Sequence, residues 1–513
     1  MEYLIGIDVG STNFKAIACR PDGKVLTEAR RPGATTYKEN GWAELDPMRL
    51  WRGVAACIKE VTENLPDDKC IGIGIASNGE DVIVDADGNP VYPTIRWFDT
   101  RTARIAASWD KFGLERVYKI TGIRPNPVAG ITKMQWIKEN APEAYKKARW
   151  WISIQGFVGM RLTGEAKTSW CNACRTMAFD LEKRDWSDEI LDAAGISREL
   201  FPQPVRSGEC VGHVTPQAAE ETGLPIGTPV YAGGIDYACG TFATGIIKSG
   251  QLLDSTGTSE QIVAVVDQPQ TAPQYIEDNF TSVTYVVNDK YYMMGQIISS
   301  GGIFEWFKNT FPGATFDELV AEAEKMPIGS HGVMMLPYFS GRYTLGNDPA
   351  ARGAFVGLTR AASRGDFVRA LLEGLCFEMK AIIDRTQEIS GSKVTSIYAI
   401  GGAANSPFWL QMKADVSGLR VYHRKVHESA AFGAAMLAGL GSGIYESPED
   451  AVAKVSEHIP ETVYEPDEIH HLTYMKIYEK LYTQMYPALR QLNEGITEMQ
   501  EKLAKGVSRK NEE

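Results

Sequence analysis

No apolar run in the 513-residue chain is long enough to cross a membrane. The opening, MEYLIGIDVGST, has neither a basic leader nor a cleavable apolar segment, so no signal peptide is expected and a cytoplasmic location is. A surplus of positive charge is missing as well. The formal net charge is -12, which argues against a nucleic-acid surface and leaves room only for local anion sites. Histidine is scarce, seven in all, and nowhere at metal-ligand spacing. Eight cysteines are scattered, and in a long chain without a secretion signal they are expected to be reduced and buried. One CxxC, Cys171 and Cys174 in CNAC, lacks the second pair or nearby histidines that a zinc site needs. The chain also has no GxxxxGK[ST] loop and no dinucleotide fingerprint opening a helix.

What is there is a soluble composition, 44% hydrophobic and 23% charged, on a chain long enough for two domains. YLIGI and FKAIACR read as strands around the turn DVGSTN. RLWRGVAACIKEVTENL has helical apolar spacing, KCIGIGIAS is a short buried strand, and DVIVDADGNPV is a hairpin with an Asp-Gly turn. From about 102 to 200 the pattern is mostly helical, and PVYAGGIDY is another buried strand ending in a turn. QLLDSTGTSEQIVAVV then repeats the opening design, strand, small polar turn, strand, which points to an internal duplication and a boundary near 247. Strands and helices interleave in both halves, so the class is α/β. Residues 486–513 are expected as a polar, charged, helical tail.

The turns DVGST (8 to 12), STGTS (255 to 259) and GGAANS (401 to 406) share a physical logic. Each follows an apolar strand and combines glycine with small or hydroxyl side chains. Glycine lets backbone N–H groups approach an anion without a Cβ in the way. Ser and Thr add donors, Asp8 offers the hard oxygen that magnesium prefers, and Lys15 can neutralise phosphate charge. One such turn is commonly only a turn; three in a duplicated α/β chain point to phosphate.

With these turns and the segments IGIDVGSTNFKA, VYPTIRWFDTR, LPYFSGRYTLGNDPAARGAFVGL and AAFGAA, the chain resembles the FGGY carbohydrate kinases over nearly its whole length. The resemblance implies two ribonuclease-H-like, actin-like ATPase domains around a deep cleft. Residues 1–247 would bind the sugar and 248–485 the nucleotide. It implies ATP and Mg2+ as cofactors and a small sugar or polyol as substrate, with no nucleic acid or membrane partner, and it allows a homodimer. Asp8, Ser11, Thr12 and Lys15 would face the terminal phosphates, with Gly257 and Thr258 opposite, and Gly301, Gly402, Ala403 and Ser406 would line the nucleotide pocket. Asp8 and Asp236 would hold the metal.

In the same family the aspartate of the GGxD segment is the general base, here Asp236 after Gly233, Gly234 and Ile235. The plain alternative is a helix cap for the segment that follows, and the two roles are compatible. Ser77-Asn78-Gly79-Glu80 stands where xylulose-type kinases carry Gln-Met-His-Gly and glycerol kinases carry Asn-Gln-Arg-Glu, so the pocket is a mosaic. Asn78, Glu80, Asp236 and Tyr237 are the candidate substrate contacts, and Gly79 is expected to leave a gap. By spacing, Val128 replaces a tyrosine of the glycerol type. A polyol or ketose of about four to six carbons follows from size complementarity. A pentulose of the xylulose or ribulose type, glycerol, and an inactive sugar-sensing role are the alternatives.

Overall fold

The computed structural model describes residues 1–33 and 35–510. Two large sheets carry the molecule. The first runs, in spatial order, Cys210–His213, Pro229–Ile235, Lys69–Ser77, Glu2–Val9, Asn13–Cys19 and Val25–Pro32. The second runs Thr281–Thr284, Tyr291–Ile297, Glu260–Val266, Gln251–Thr256, Ser396–Gly401, Arg420–Arg424 and Glu461–Tyr464. In each, the opening strand pairs antiparallel with the strand after its small polar turn and parallel with a strand from far downstream. The duplicated design read in the sequence is therefore a duplicated topology. The stretch from 102 to 200 is helical with short strands between, among them Trp150–Ser153, which pairs with Asp81–Val84.

Local chemistry explains the elements. The helix Pro47–Glu63 starts where the Asp46 carboxylate accepts the Met48 and Arg49 amides and Pro47 fixes the first turn. Its face of Leu50, Trp51, Val54, Ile58 and Val61 is buried, against the strands Asn13–Cys19 and Val25–Pro32. The two halves interlock at two places. The helix Ser429–Gly441, from the second half of the chain, packs on the strands Glu2–Val9 and Lys69–Ser77 of the first sheet. That approach needs glycine: a Cβ on Gly6 would lie 1.8 Å from the Ala431 carbonyl oxygen, and one on Gly74 1.8 Å from that of Ala434. Conversely, the hairpin of Thr281–Thr284 and Tyr291–Ile297 reaches into the first half. There Tyr118 donates to the Phe280 carbonyl (2.9 Å) and Ser282 N–H to that of Gly122 (2.9 Å). No helix among the described residues is long and apolar enough to cross a membrane.

Candidate active site

Parallel strands of an open α/β sheet bring their carboxyl ends to one edge, and the turns beyond them form the natural ligand crevice. Val9 and Ser77 are paired at the ends of neighbouring strands, and Ser77 is also paired with Ile235. Asp8, the Asn78–Glu80 turn and Asp236 are thereby gathered at one place. Asp236 is the first residue of the helix Asp236–Ala243, and its carboxylate accepts the Tyr237 amide at 2.7 Å. Ile235 and not Asp236 occupies the N-cap, without a side-chain cap bond, so Asp236 is the first helical residue and not the cap expected as the plain alternative. Burial pushes the Asp236 carboxyl up to about 6, opposed by the Tyr237 amide and the Arg175 guanidinium. Burial also pushes Asp8 up to about 7, with the Asp236 carboxylate adding to the rise and Lys15 opposing it. One Asp8 carboxylate oxygen is buried without a hydrogen-bond partner. An orphaned hard oxygen facing a second carboxylate fits a divalent cation held directly or through water.

The substrate side differs from the sequence expectation in two residues. Gly79 leaves no gap: a Cβ there would stand 3.0 Å from Cγ of Arg175, whose side chain fills the space. Glu80 is not free to receive a substrate hydroxyl. Its oxygens take the Arg96 guanidinium at 2.8 Å and the Trp97 amide at 2.7 Å, and both side chains of the Glu80–Arg96 pair are buried. A buried carboxylate demands such pairing, so the acid is structural in position. It works on the crevice at one remove, because Arg96 also reaches the Ser11 carbonyl at 3.3 Å. Asn78 donates to the Ser11 hydroxyl at 3.2 Å, while its carbonyl oxygen is buried without a partner and can accept from a ligand. Trp97, half-exposed, also donates to Ser11, at 3.0 Å. Arg175, in the segment CNACRTM, has a buried Nε without a partner and is a crevice residue that is not among the expected site residues. The Tyr237 hydroxyl is bonded to that of Tyr292, on the inserted hairpin. Cys171 and Cys174 are buried, their thiols pushed up by burial to about 12 and about 11, which suits packing and not metal or redox chemistry.

The turns expected to meet the nucleotide are present, with some residues turned differently. Thr12, Gly257 and Thr258 are exposed. The Gly257 amide, expected to face phosphate, donates to the Ser259 carbonyl (2.8 Å). Gly301 and Gly302 amides donate to the Gly257 (2.9 Å) and Thr258 (3.1 Å) carbonyls, which locks the turn onto the start of the helix Gly301–Thr310. Gly402 is exposed, but Ala403 and Ser406 are buried, and the Ser406 hydroxyl caps the helix Pro407–Ser417 by accepting the Trp409 amide. The neighbouring Asn405 is exposed instead and, with Ser255, Gly401, Arg424, Lys425 and Ser429, lines a cavity of about 500 Å³. Lys15 is not an open phosphate ligand here: Glu428, across the joint between the halves, holds both Lys15 and Arg30. Beneath the 255–259 turn lies a buried quartet. The Lys413 ammonium donates to Asp254, to the Thr256 hydroxyl at 2.8 Å and to Glu260 at 2.9 Å. Glu260 also accepts from the Ser300 hydroxyl at 2.7 Å, so one cation ties the flanks of the 255–259 turn to the start of the helix Gly301–Thr310 and to the helix that follows the 401–406 turn.

Two halves of one topology, closing a crevice lined by turns suited to phosphate, define a sugar-kinase-type ATPase of the actin-like fold. Residues 3–243 match the N-terminal domain, and 252–442 the C-terminal domain, of the FGGY family of carbohydrate kinases. The chain is 34% identical to a xylulose kinase of Bacillus subtilis over 88% of this chain and 90% of that one. It is 29% identical to an L-fuculokinase of Escherichia coli, over 88% and 95%. The structure superposes on that of a xylulose kinase from Rhodospirillum rubrum with TM-score 0.89 and 26% identity, covering 96% of this chain and all of the other. The chain belongs to the FGGY family of carbohydrate kinases. It is a phosphotransferase that uses ATP to phosphorylate a hydroxyl of a small sugar or polyol.

Proposed function

We propose that Asp236 is the general base of this transfer. The attacking sugar hydroxyl gives its proton to the Asp236 carboxylate while its oxygen bonds to the γ-phosphorus and the bond to the β-γ bridging oxygen breaks, releasing ADP. The observation that carries this reading is the placement of Asp236 at the crevice, held by its own helix and opposed by Arg175. A carboxyl raised to about 6 is better matched to proton uptake near neutral pH than an ordinary one, yet stays largely ionised there. Asn78, with its orphaned carbonyl oxygen, accepts from a substrate hydroxyl, and Arg175 orients the bound sugar. Thr12 and Thr258 receive the phosphates from the two sides, and Lys15 joins them on leaving Glu428. Asp8 and Asp236 would hold Mg2+, which would neutralise phosphate charge there. The sugar-binding part is residues 1–247 and the nucleotide-binding part 248–485, in a cytoplasmic enzyme.

The substrate is a polyol or ketose of about four to six carbons. With the Gly79 gap filled by Arg175, the support for this size comes from relatives named for xylulose and L-fuculose. A ketopentose such as the one those xylulose kinases are named for falls inside the range. The deciding experiment is a panel of three- to six-carbon polyols and ketoses scored by sugar-dependent ADP release. A single preferred substrate in the range is expected. Preference for glycerol would overturn the size, and ADP release from no member of the panel would overturn the enzymatic reading.

A further inference from the structure

A cavity of about 260 Å³ lies at the joint between the halves, at the tip of the inserted hairpin. Trp170, Arg184, Arg206 and Ser207 wall it from the first half, Asp289 and Lys290 from the second. The Arg184 and Arg206 guanidiniums both stand over the Trp170 ring, 5.1 and 5.3 Å from its centroid. Both also converge on one carboxylate, that of Asp289, at 3.4 and 3.0 Å. Two guanidiniums and an ammonium thus share a cavity with a single acid of its own, while Lys290 is paired outward with Asp267 at 2.5 Å. The Trp170 indole N–H is buried and has no acceptor. The Asp289 side chain is 43% exposed and sits on a turn, so it can swing away without unfolding anything.

We propose that this cavity binds a compact anion bearing a phosphate or carboxylate group, with Asp289 occupying the anion's place in the free protein. Arg184 and Arg206 grip the anion from two sides in the fork geometry that suits phosphate and carboxylate oxygens. The Trp170 N–H and the Ser207 hydroxyl supply neutral donors. Occupancy exchanges a direct bond between the halves, Arg206 to Asp289, for one made through the ligand. The strand leaving the same turn carries Tyr292 to the hydroxyl of Tyr237, the neighbour of Asp236, so the cavity and the sugar crevice share one structural member.

The test uses inorganic phosphate and the full-length protein, with the nucleotide site saturated by a non-hydrolysable ATP analogue and magnesium so that phosphate cannot bind there. Equilibrium dialysis should give one phosphate per chain. Arg206→Ala should weaken it about tenfold or more, the size of a lost charge-assisted bond. Asp289→Asn, which keeps the side-chain shape but removes the competing charge, should tighten it several-fold. That gain has the opposite sign from the loss expected if the cluster only stabilises the joint. Absence of millimolar binding in both wild type and Asp289→Asn overturns the proposal, as does binding that Arg206→Ala leaves unchanged. Neither outcome bears on catalysis, because no turnover is measured.

Discussion

Lys413→Met removes the one cation from the quartet beneath the 255–259 turn, and its consequences follow from the geometry. The lysine is 1% exposed, and its partners Asp254 and Glu260 are wholly buried. The cluster holds one positive and two negative groups. Burial, with Asp254 nearby, raises the Glu260 carboxyl even with the lysine beside it. Without the lysine, two carboxyls face each other in a dry site and at least one must be neutralised. Stranding a buried charge in this way costs about 3–5 kcal/mol. For a cooperative unit of about 200 residues that is roughly 6–20 °C in Tm. The Thr256 hydroxyl and the Ser300–Glu260 bond also lose their anchor, so the turns at 257 and 301 should loosen. KM for ATP should rise while KM for the sugar changes much less. Adding Asp254→Asn to Lys413→Met should restore part of both losses, since it removes one of the stranded acids. Calorimetry and a two-substrate kinetic analysis read these effects. A single variant within about 2 °C of wild type in Tm and unchanged in KM for ATP would refute the reasoning.

Asp236→Asn should lower kcat by about 10²–10⁴-fold, the usual range for a general base. Substrate binding should change little, and near-normal turnover would leave Asp236 as a helix-end residue only. Glu428→Gln should free Lys15 for phosphate and tighten ATP binding roughly fivefold, on the scale of a part-exposed ion pair; calorimetric titration showing weaker binding would instead make Glu428 a support for Lys15. Burial would raise the Asp366 carboxyl, but the Ser363 hydroxyl and amide and His331 more than offset this and hold it below its ordinary value. A lowered carboxyl contributes stability above the unfolded-state pKa, near 4, that is lost as pH falls through the folded value. Urea midpoints should therefore fall less steeply with acid in Asp366→Asn than in wild type, and identical slopes would remove this group from the linkage. Sugar together with a non-hydrolysable nucleotide should compact the molecule in small-angle scattering, because phosphate turns on separate halves meet one ATP only if the cleft closes. Identical curves with and without both ligands would count against closure.

The features legible in the sequence are those written locally. A small polar turn after an apolar strand carries its own signature, so 8–12, 255–259 and 401–406 are recognisable from their residues alone, and the repeated strand-turn-strand pattern discloses the duplication. What fails are the readings of single residues whose tertiary partner the sequence does not name. Glu80 looks like a ligand until Arg96, in the segment VYPTIRWFDTR, turns inward to meet it. Gly79 looks like a gap until Arg175 fills it from a distant helix end. Lys15 looks free until Glu428 arrives from the other half. Such charges read as open to a ligand because Lys, Arg and Glu are rarely buried, and burial is decided by tertiary pairing and not by the residue's neighbours in the chain. One weak signal does exist. In PFWLQMKADVS, Lys413 falls four residues after Trp409 and three before Val416, which are one face of a helix, and both are buried. A lysine on the apolar face of a helix must find an acid inside, and the nearest acids in a duplicated sheet are those flanking the turn that the helix abuts. The same reasoning accounts for AAFGAAMLAGLG. A helix of such small residues has little to bury against an ordinary surface, and it becomes intelligible once the glycines of IGI and GIGIA are seen as the seat that brings it against the first sheet.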